Sequence, residues 1–230
     1  MMNLEATNRE DDIDLLRGCP TDVDEIWTSQ VEDSGQDLEM WLEGHERTDR
    51  ARPEANWCGL CCLRSILKAH QSDDFGIDLP SLDQMFRDAV QAGVYKLEEN
   101  GKYSGAYHQP LARFIEDRFR LPAQAVEGLS RAKIRREIDA GKFVIASVHP
   151  SLRYPQSPHP EKPAGHFVLI HGYYGEDRWN FRILDSTGVI SQGTHINSAL
   201  ALSRFRHFFS GRAVLVRSLL PMNFDHSVDW

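Results

Sequence analysis

The order in which its periodicities occur constrains this chain most. Residues 58–140 carry apolar side chains at helical spacing, whereas residues 142–218 carry short β-prone runs divided by turn residues. The spacing predicts a helix from Cys58 to about Ala69, with Leu60, Leu63, Ile66 and Leu67 on one side. Further helices are predicted over Ser81–Gln91, His108–Phe119 and Ser130–Ala140, with Ser81 and Ser130 as N-caps and Gly141 as a stop. Ala123–Val126 reads as a short strand and Gly101–Gly105 as a loop. Lys142–Val148 is strongly β-prone. Pro150, Pro155, Pro158, Pro160 and Pro163 then make a loop too rigid and too poor in donors for a central strand. His166–Tyr173 and Trp179–Leu184 read as strands joined by the turn Gly175-Glu176-Asp177-Arg178. Asn197–Phe205 reads as a helix and Ala213–Ser218 as a last strand. Helices first and antiparallel strands later is the α+β order rather than βαβ alternation.

At 230 residues and 41% hydrophobic content, one domain with a sizeable core and an extension is expected. The net charge of −8 is uneven: residues 1–50 hold fifteen Asp/Glu against four Lys/Arg, a balance of −11 that leaves +3 for the rest. Residues 1–50 are therefore expected to form an acidic extension, solvated or docked on the body, with the domain over 51–220 and a tail over 221–230. No basic stripe points to nucleic acid. No leader pattern and no apolar run of spanning length is present, so a soluble, cytoplasmic protein without a membrane partner is expected. Four cysteines, at 19, 58, 61 and 62, are too few and too clustered for a disulfide scaffold and fit free thiols in a reducing compartment.

Chemistry concentrates at Cys58. A thiol in the first turn of a helix meets unpaired backbone N–H groups and the positive end of the macrodipole, where a negative charge is stabilised. The thiolate is the nucleophile. Far downstream, His166 opens a predicted strand and Asp185 closes the next one. Cys, His and Asp in that order form a candidate nucleophile, base and orienting carboxylate. Cys61 and Cys62 read as helix-packing thiols, and His171 as packing on the opposite sheet face from His166. His149 and His159 read as surface residues beside or within the proline-rich loop. A thioredoxin-like dithiol, Cys58-Gly59-Leu60-Cys61, is the rival reading, but the charged, proline-interrupted segment before it is no strand, and it leaves His166 and Asp185 without roles. A zinc site at Cys58 and Cys61 lacks a second close ligand pair. No metal and no cofactor is expected.

As a set, Cys58-Gly59, Gly105-Ala106-Tyr107-His108, Ala140-Gly141-Lys142-Phe143-Val144-Ile145, Gly165-His166-Phe167-Val168 and Leu184-Asp185-Ser186-Thr187-Gly188 resemble the papain-like peptidases that cleave double-glycine leaders from bacteriocin precursors. The resemblance covers roughly residues 50–220, with 108 residues from Cys58 to His166 and 19 more to Asp185. It implies a papain-like α+β fold, a helical lobe followed by an antiparallel sheet lobe. It also implies a free-standing cysteine peptidase with Cys58 as nucleophile, His166 as base and Asp185 as the orienting group. The substrate would be a peptide or small protein, and the intermediate a thioester. An acyltransferase would use the same triad, and a non-catalytic peptide-binding domain would keep the fold. Trp57, Gly59, His108 and Gly165 are the candidates for the substrate cleft.

One position departs from the resemblance. The family supplies an oxyanion-hole glutamine shortly before the cysteine, whereas here Arg52 stands six residues before it. Asn56 is the nearest amide, Gln30 and Gln36 lie in the acidic arm, and the Cys58 backbone N–H is the other candidate donor. Loss of one such donor costs about 3–4 kcal/mol.

Overall fold

A computed structural model describes residues 17–18, 56–71, 79–153, 157–174, 180–186 and 198–219. The elements run β1 (Arg17–Gly18), α1 (Cys58–Gln71), α2 (Leu82–Gln91), α3 (His108–Phe119), β2 (Ala123–Val126), α4 (Arg131–Asp139), β3 (Lys142–Val148), β4 (His166–Tyr174), β5 (Asn180–Leu184), β6 (Ser198–Ala201), α5 (Leu202–Phe208) and β7 (Phe209–Arg217). The local chemistry of the helix ends is as expected. Ser81 Oγ accepts from Gln84 N at 3.2 Å and Ser130 Oγ from Lys133 N at 3.3 Å. Gly141, at φ +74°, turns the chain from α4 into β3.

Among the described residues the strands form one seven-stranded sheet in the order β2-β7-β3-β4-β5-β6, with β1 paired to β4. Every pairing is antiparallel. Alternation along the strands divides the core into two layers. Phe143, Ile145, Phe167, Leu169, Val214 and Val216 face α1, α2 and α3. Val144, Ala146, Val168, Ile170, Ala213 and Leu215 face Ile134 and Ile138 of α4 and Phe205 and Phe208 of α5. The class is α+β, and helices cover both faces of the sheet.

Two elements differ from the sequence expectation. Ser198–Ala201 is a strand, not the start of a helix: it pairs with Asn180–Ile183, and α5 begins only at Leu202. Ladder pairing with a neighbouring strand overrides the helical propensity of Ala and Leu there. The acidic arm contributes Arg17 and Gly18 to the sheet, opposite Tyr173 and Gly172. That is the end of β4 remote from His166, whose own partner is Val148. The rest of the arm, the turn at 175–178 and the tail at 221–230 lie outside the described residues.

Phe143 links the sheet to α1: it is fully buried and its ring meets His70 at 6.0 Å. Phe143→Ala is predicted to lower unfolding free energy by about 3–5 kcal/mol in urea titrations. A loss below about 1 kcal/mol would contradict this placement.

Candidate active site

Cys58 is the first residue of α1. The hydrogen-bond ladder opens with Cys61 N–H donating to Trp57 O at 2.8 Å. The N–H groups of Cys58, Gly59 and Leu60 therefore stand outside the ladder of α1 itself. Trp57 fixes that start from below. It is fully buried and packs on Phe86 with ring centroids 5.5 Å apart. Its side chain belongs to the core and not to a substrate cleft, a correction to the sequence expectation, because a large apolar ring gains more from burial than from a cleft wall. Gly59 also faces inward. A Cβ there would lie 3.4 Å from Ala106 Cβ and Leu111 Cδ2 and 3.5 Å from Phe167 Cδ2. The missing side chain brings α1 against β4.

His166 is the first residue of β4 and Asp185 the first residue after β5. Leu169 pairs with Leu184, so both residues emerge near the same sheet end. Gly165, at φ +108°, turns the chain out of the proline-rich loop in a conformation that L residues rarely adopt. His166 Nε2 and Asp185 Oδ1 are 2.9 Å apart. That leaves Nδ1 as the ring nitrogen available to Cys58, with which His166 also interacts by charge and hydrogen bond. All three residues are nearly closed to solvent, at 6% for Cys58 and His166 and 5% for Asp185. Burial by itself disfavours the imidazolium, but the charge of Cys58 and hydrogen bonds to Asp185 and Cys58 outweigh it. The pKa of His166 is pushed from 6.5 up to about 9. At neutral pH the ring is a cation between two acidic partners, an arrangement suited to nucleophilic attack by sulfur with a proton donor at hand.

A model of the Peptidase C39 like family matches residues 38–206. The chain belongs to this family. No curated protein matches the sequence. Among solved structures, a C39-like peptidase candidate from Bacillus anthracis is 16% identical, with a TM-score of 0.49 over 71% of this chain and 89% of that one. Procathepsin L 3 from the Tenebrio molitor larval midgut is 11% identical, with a TM-score of 0.46 over 71% of this chain and 62% of that one. Membership of the C39-like family makes this a cysteine-peptidase-like protein.

The other residues singled out in the sequence have their own partners. Asn56 is held: its Nδ2 donates to Tyr103 O at 2.7 Å. The Cys58 N–H, by contrast, lies at the helix start beside the sulfur. Positions 30, 36 and 52 lie outside the described residues. His108 begins α3 and sets its ring edge-on to Phe167 at 5.0 Å. Burial, with Arg212 nearby, lowers its pKa, so it is a neutral ring near the site. Cys61, Cys62 and His171 are buried. His149 Nδ1 lies 2.7 Å from Ser151 Oγ, and His159 stacks on His207 at 3.6 Å. Among the described residues no group of three or more His, Cys, Asp or Glu is arranged to hold a metal ion, and no helix is long and apolar enough to cross a membrane.

Sequence reasoning missed the hairpin that Asn56 ties down. Leu97 bridges Tyr103, Glu98 N–H donates to Lys102 O at 2.8 Å, and Gly101 N–H donates to Glu98 O at 2.9 Å. The signal was the Asn100-Gly101 pair, a strong turn former. It also missed Tyr95, buried close enough to the thiols of Cys58, Cys61 and Cys62 that, after burial itself, their charge raises its pKa.

The charge on His166 has a consequence for stability. Its folded pKa lies above the ordinary value of 6.5, so its contribution is full below about 6.5 and is lost as pH rises through about 9. Urea unfolding across that window is predicted to show this loss. Asp185→Asn, which removes one of the raising partners, is predicted to shrink it; an unchanged pH profile in that variant would contradict the coupling.

Proposed function

We propose that this protein is a cysteine peptidase that cleaves a peptide or small-protein substrate through a thioester on Cys58. The observation that carries the reading is the convergence of Cys58, His166 and Asp185 at one sheet end, with 2.9 Å between His166 Nε2 and Asp185 Oδ1. Cys58 sulfur attacks the substrate carbonyl carbon. The backbone N–H at the start of α1 stabilises the resulting oxyanion. His166 delivers its proton to the departing amine as the tetrahedral species collapses to the thioester. The ring, now neutral, takes a proton from water, which attacks the thioester and releases the acid. Asp185 holds the ring through Nε2 and compensates its positive charge. Family membership and the motif set around Cys58 and His166 favour a double-glycine leader as the substrate class. The acting unit is the domain over about 51–220, in a soluble, cytoplasmic setting.

The test is incubation of the purified protein with synthetic double-glycine leader peptides, followed by mass spectrometry with and without an added amine. Hydrolysed leader is the expected product, and an amine adduct in its place would make the protein an acyltransferase. Cys58→Ala should abolish turnover, and intact turnover in that variant would sink the proposal. Asp185→Asn should lower kcat by up to about 10⁴-fold. The rate should fall above pH about 9, as His166 loses its proton, and Asp185→Asn should move that alkaline limb to lower pH. A limb that stays in place would show that Asp185 does not act through the ring.

A further inference from the structure

The proposed hydrolytic reaction uses Cys58 and leaves Cys61 idle, although the two stand one helical turn apart at the opening of α1. We propose that Cys58 and Cys61 form a reversible disulfide when a hydroperoxide reaches Cys58, and that this bond switches the site off. The inference rests on the reading of Cys58 as a nucleophile.

The placement of the two thiols favours the bond. Residues three apart in an α-helix have Cα atoms about 5 Å apart, within the range a disulfide spans, whereas residues four apart are separated by about 6 Å. Side-chain Cβ atoms at these spacings are still about 5–6 Å apart, against roughly 4 Å in a disulfide, so the turn must tighten. It can do so at Cys58. This is the first helical residue, its N–H precedes the ladder, and the residue after it is Gly59. Within that turn the ladder bond is Cys61 N–H to Trp57 O. A bond to Cys62 would have to compress a full turn within the ladder, which makes Cys61 the partner. Reach from outside is unequal as well: Cys58 is 6% exposed and Cys61 only 1%. An external oxidant therefore meets Cys58 first, and the buried neighbour resolves the product before a bulky thiol can.

The chemistry balances with a peroxide as oxidant. Cys58 thiolate attacks one oxygen of hydrogen peroxide, the O–O bond breaks, and the leaving hydroxide takes the proton of the His166 imidazolium to become water. Cys58 is then a sulfenic acid. The Cys61 sulfur attacks that sulfur, the S–O bond breaks, and hydroxide departs with the Cys61 proton as a second water. Two thiols have lost two electrons and two protons, and one peroxide has become two waters. A dithiol reductant reverses the change.

The experiment exposes the full-length protein to two equivalents of hydrogen peroxide, enough to carry an unprotected thiol to the sulfinic acid, and follows intact mass, non-reducing peptide maps and iodoacetamide labelling of Cys58. The wild type should lose two hydrogens, show Cys58 linked to Cys61, and lose labelling until dithiothreitol restores it. Cys62→Ser should behave the same way. Cys61→Ser should instead gain two oxygens at Cys58, with no rescue by dithiothreitol. Cys61→Ala provides the same test should a hydroxyl at that buried position unfold the protein, which circular dichroism would reveal. A wild type whose Cys58 oxidises to the sulfinic acid beside an intact Cys61 thiol, links to Cys62, or stays unmodified would overturn the proposal. None of these readouts needs a peptide substrate, so a lack of peptide hydrolysis would count against the peptidase reading alone.

Discussion

The contact between the start of α1 and the start of β4 is what the site depends on. Gly59, the residue after Cys58, packs against Phe167, the residue after His166, and the absent side chain sets their separation. Phe167 also carries the ring of His108 at the start of α3. One buried aromatic thus locates two helix starts relative to one strand. The two core layers hold that strand from both faces, and Trp57 holds the helix start from beneath. A thiol at a helix terminus and an imidazole at a strand terminus need such a rigid frame, because small displacements of reacting groups cost large factors in rate.

Electrostatics then sets what the frame can do. A lone imidazolium that is closed to water is unfavourable, and burial drives it toward the neutral form. Here Cys58 on one side and Asp185 on the other reverse that preference and carry the pKa to about 9. The positive ring, in turn, suits a negative sulfur beside it. Each of the three groups is tolerable in a dry site only because the others are present, so removing one changes the charge state of its neighbours as well as their geometry. The same packing leaves Cys61 within one helical turn of Cys58, so the proposed hydrolysis and the proposed oxidation would draw on the same sulfur.

Much of this was legible in the sequence where local physics decides. Helix starts at Ser81 and Ser130 follow from cap chemistry, and the α+β class follows from the order of periodicities. Cys58, His166 and Asp185 were nameable because each ends or begins an element, and element ends converge at one side of a sheet. What failed depended on partners distant in sequence. Ser198–Ala201 reads as helix until a neighbouring strand claims its backbone, and Trp57 reads as a cleft residue until α2 supplies Phe86. Arg17 and Gly18 carry no strand pattern of their own and are recruited by the free end of β4. Asn56 offers a free amide on paper, yet the carbonyl of Tyr103, 47 residues away, takes it.

The chemistry proposed for the site turns on His166 being held as a cation by Cys58 and Asp185. Nitrogen-15 chemical shifts of its ring in the uniformly labelled protein report this most directly. Both ring nitrogens should be protonated at neutral pH, with titration near 9. A ring that is neutral at pH 7, titrating at or below its ordinary value, would contradict it.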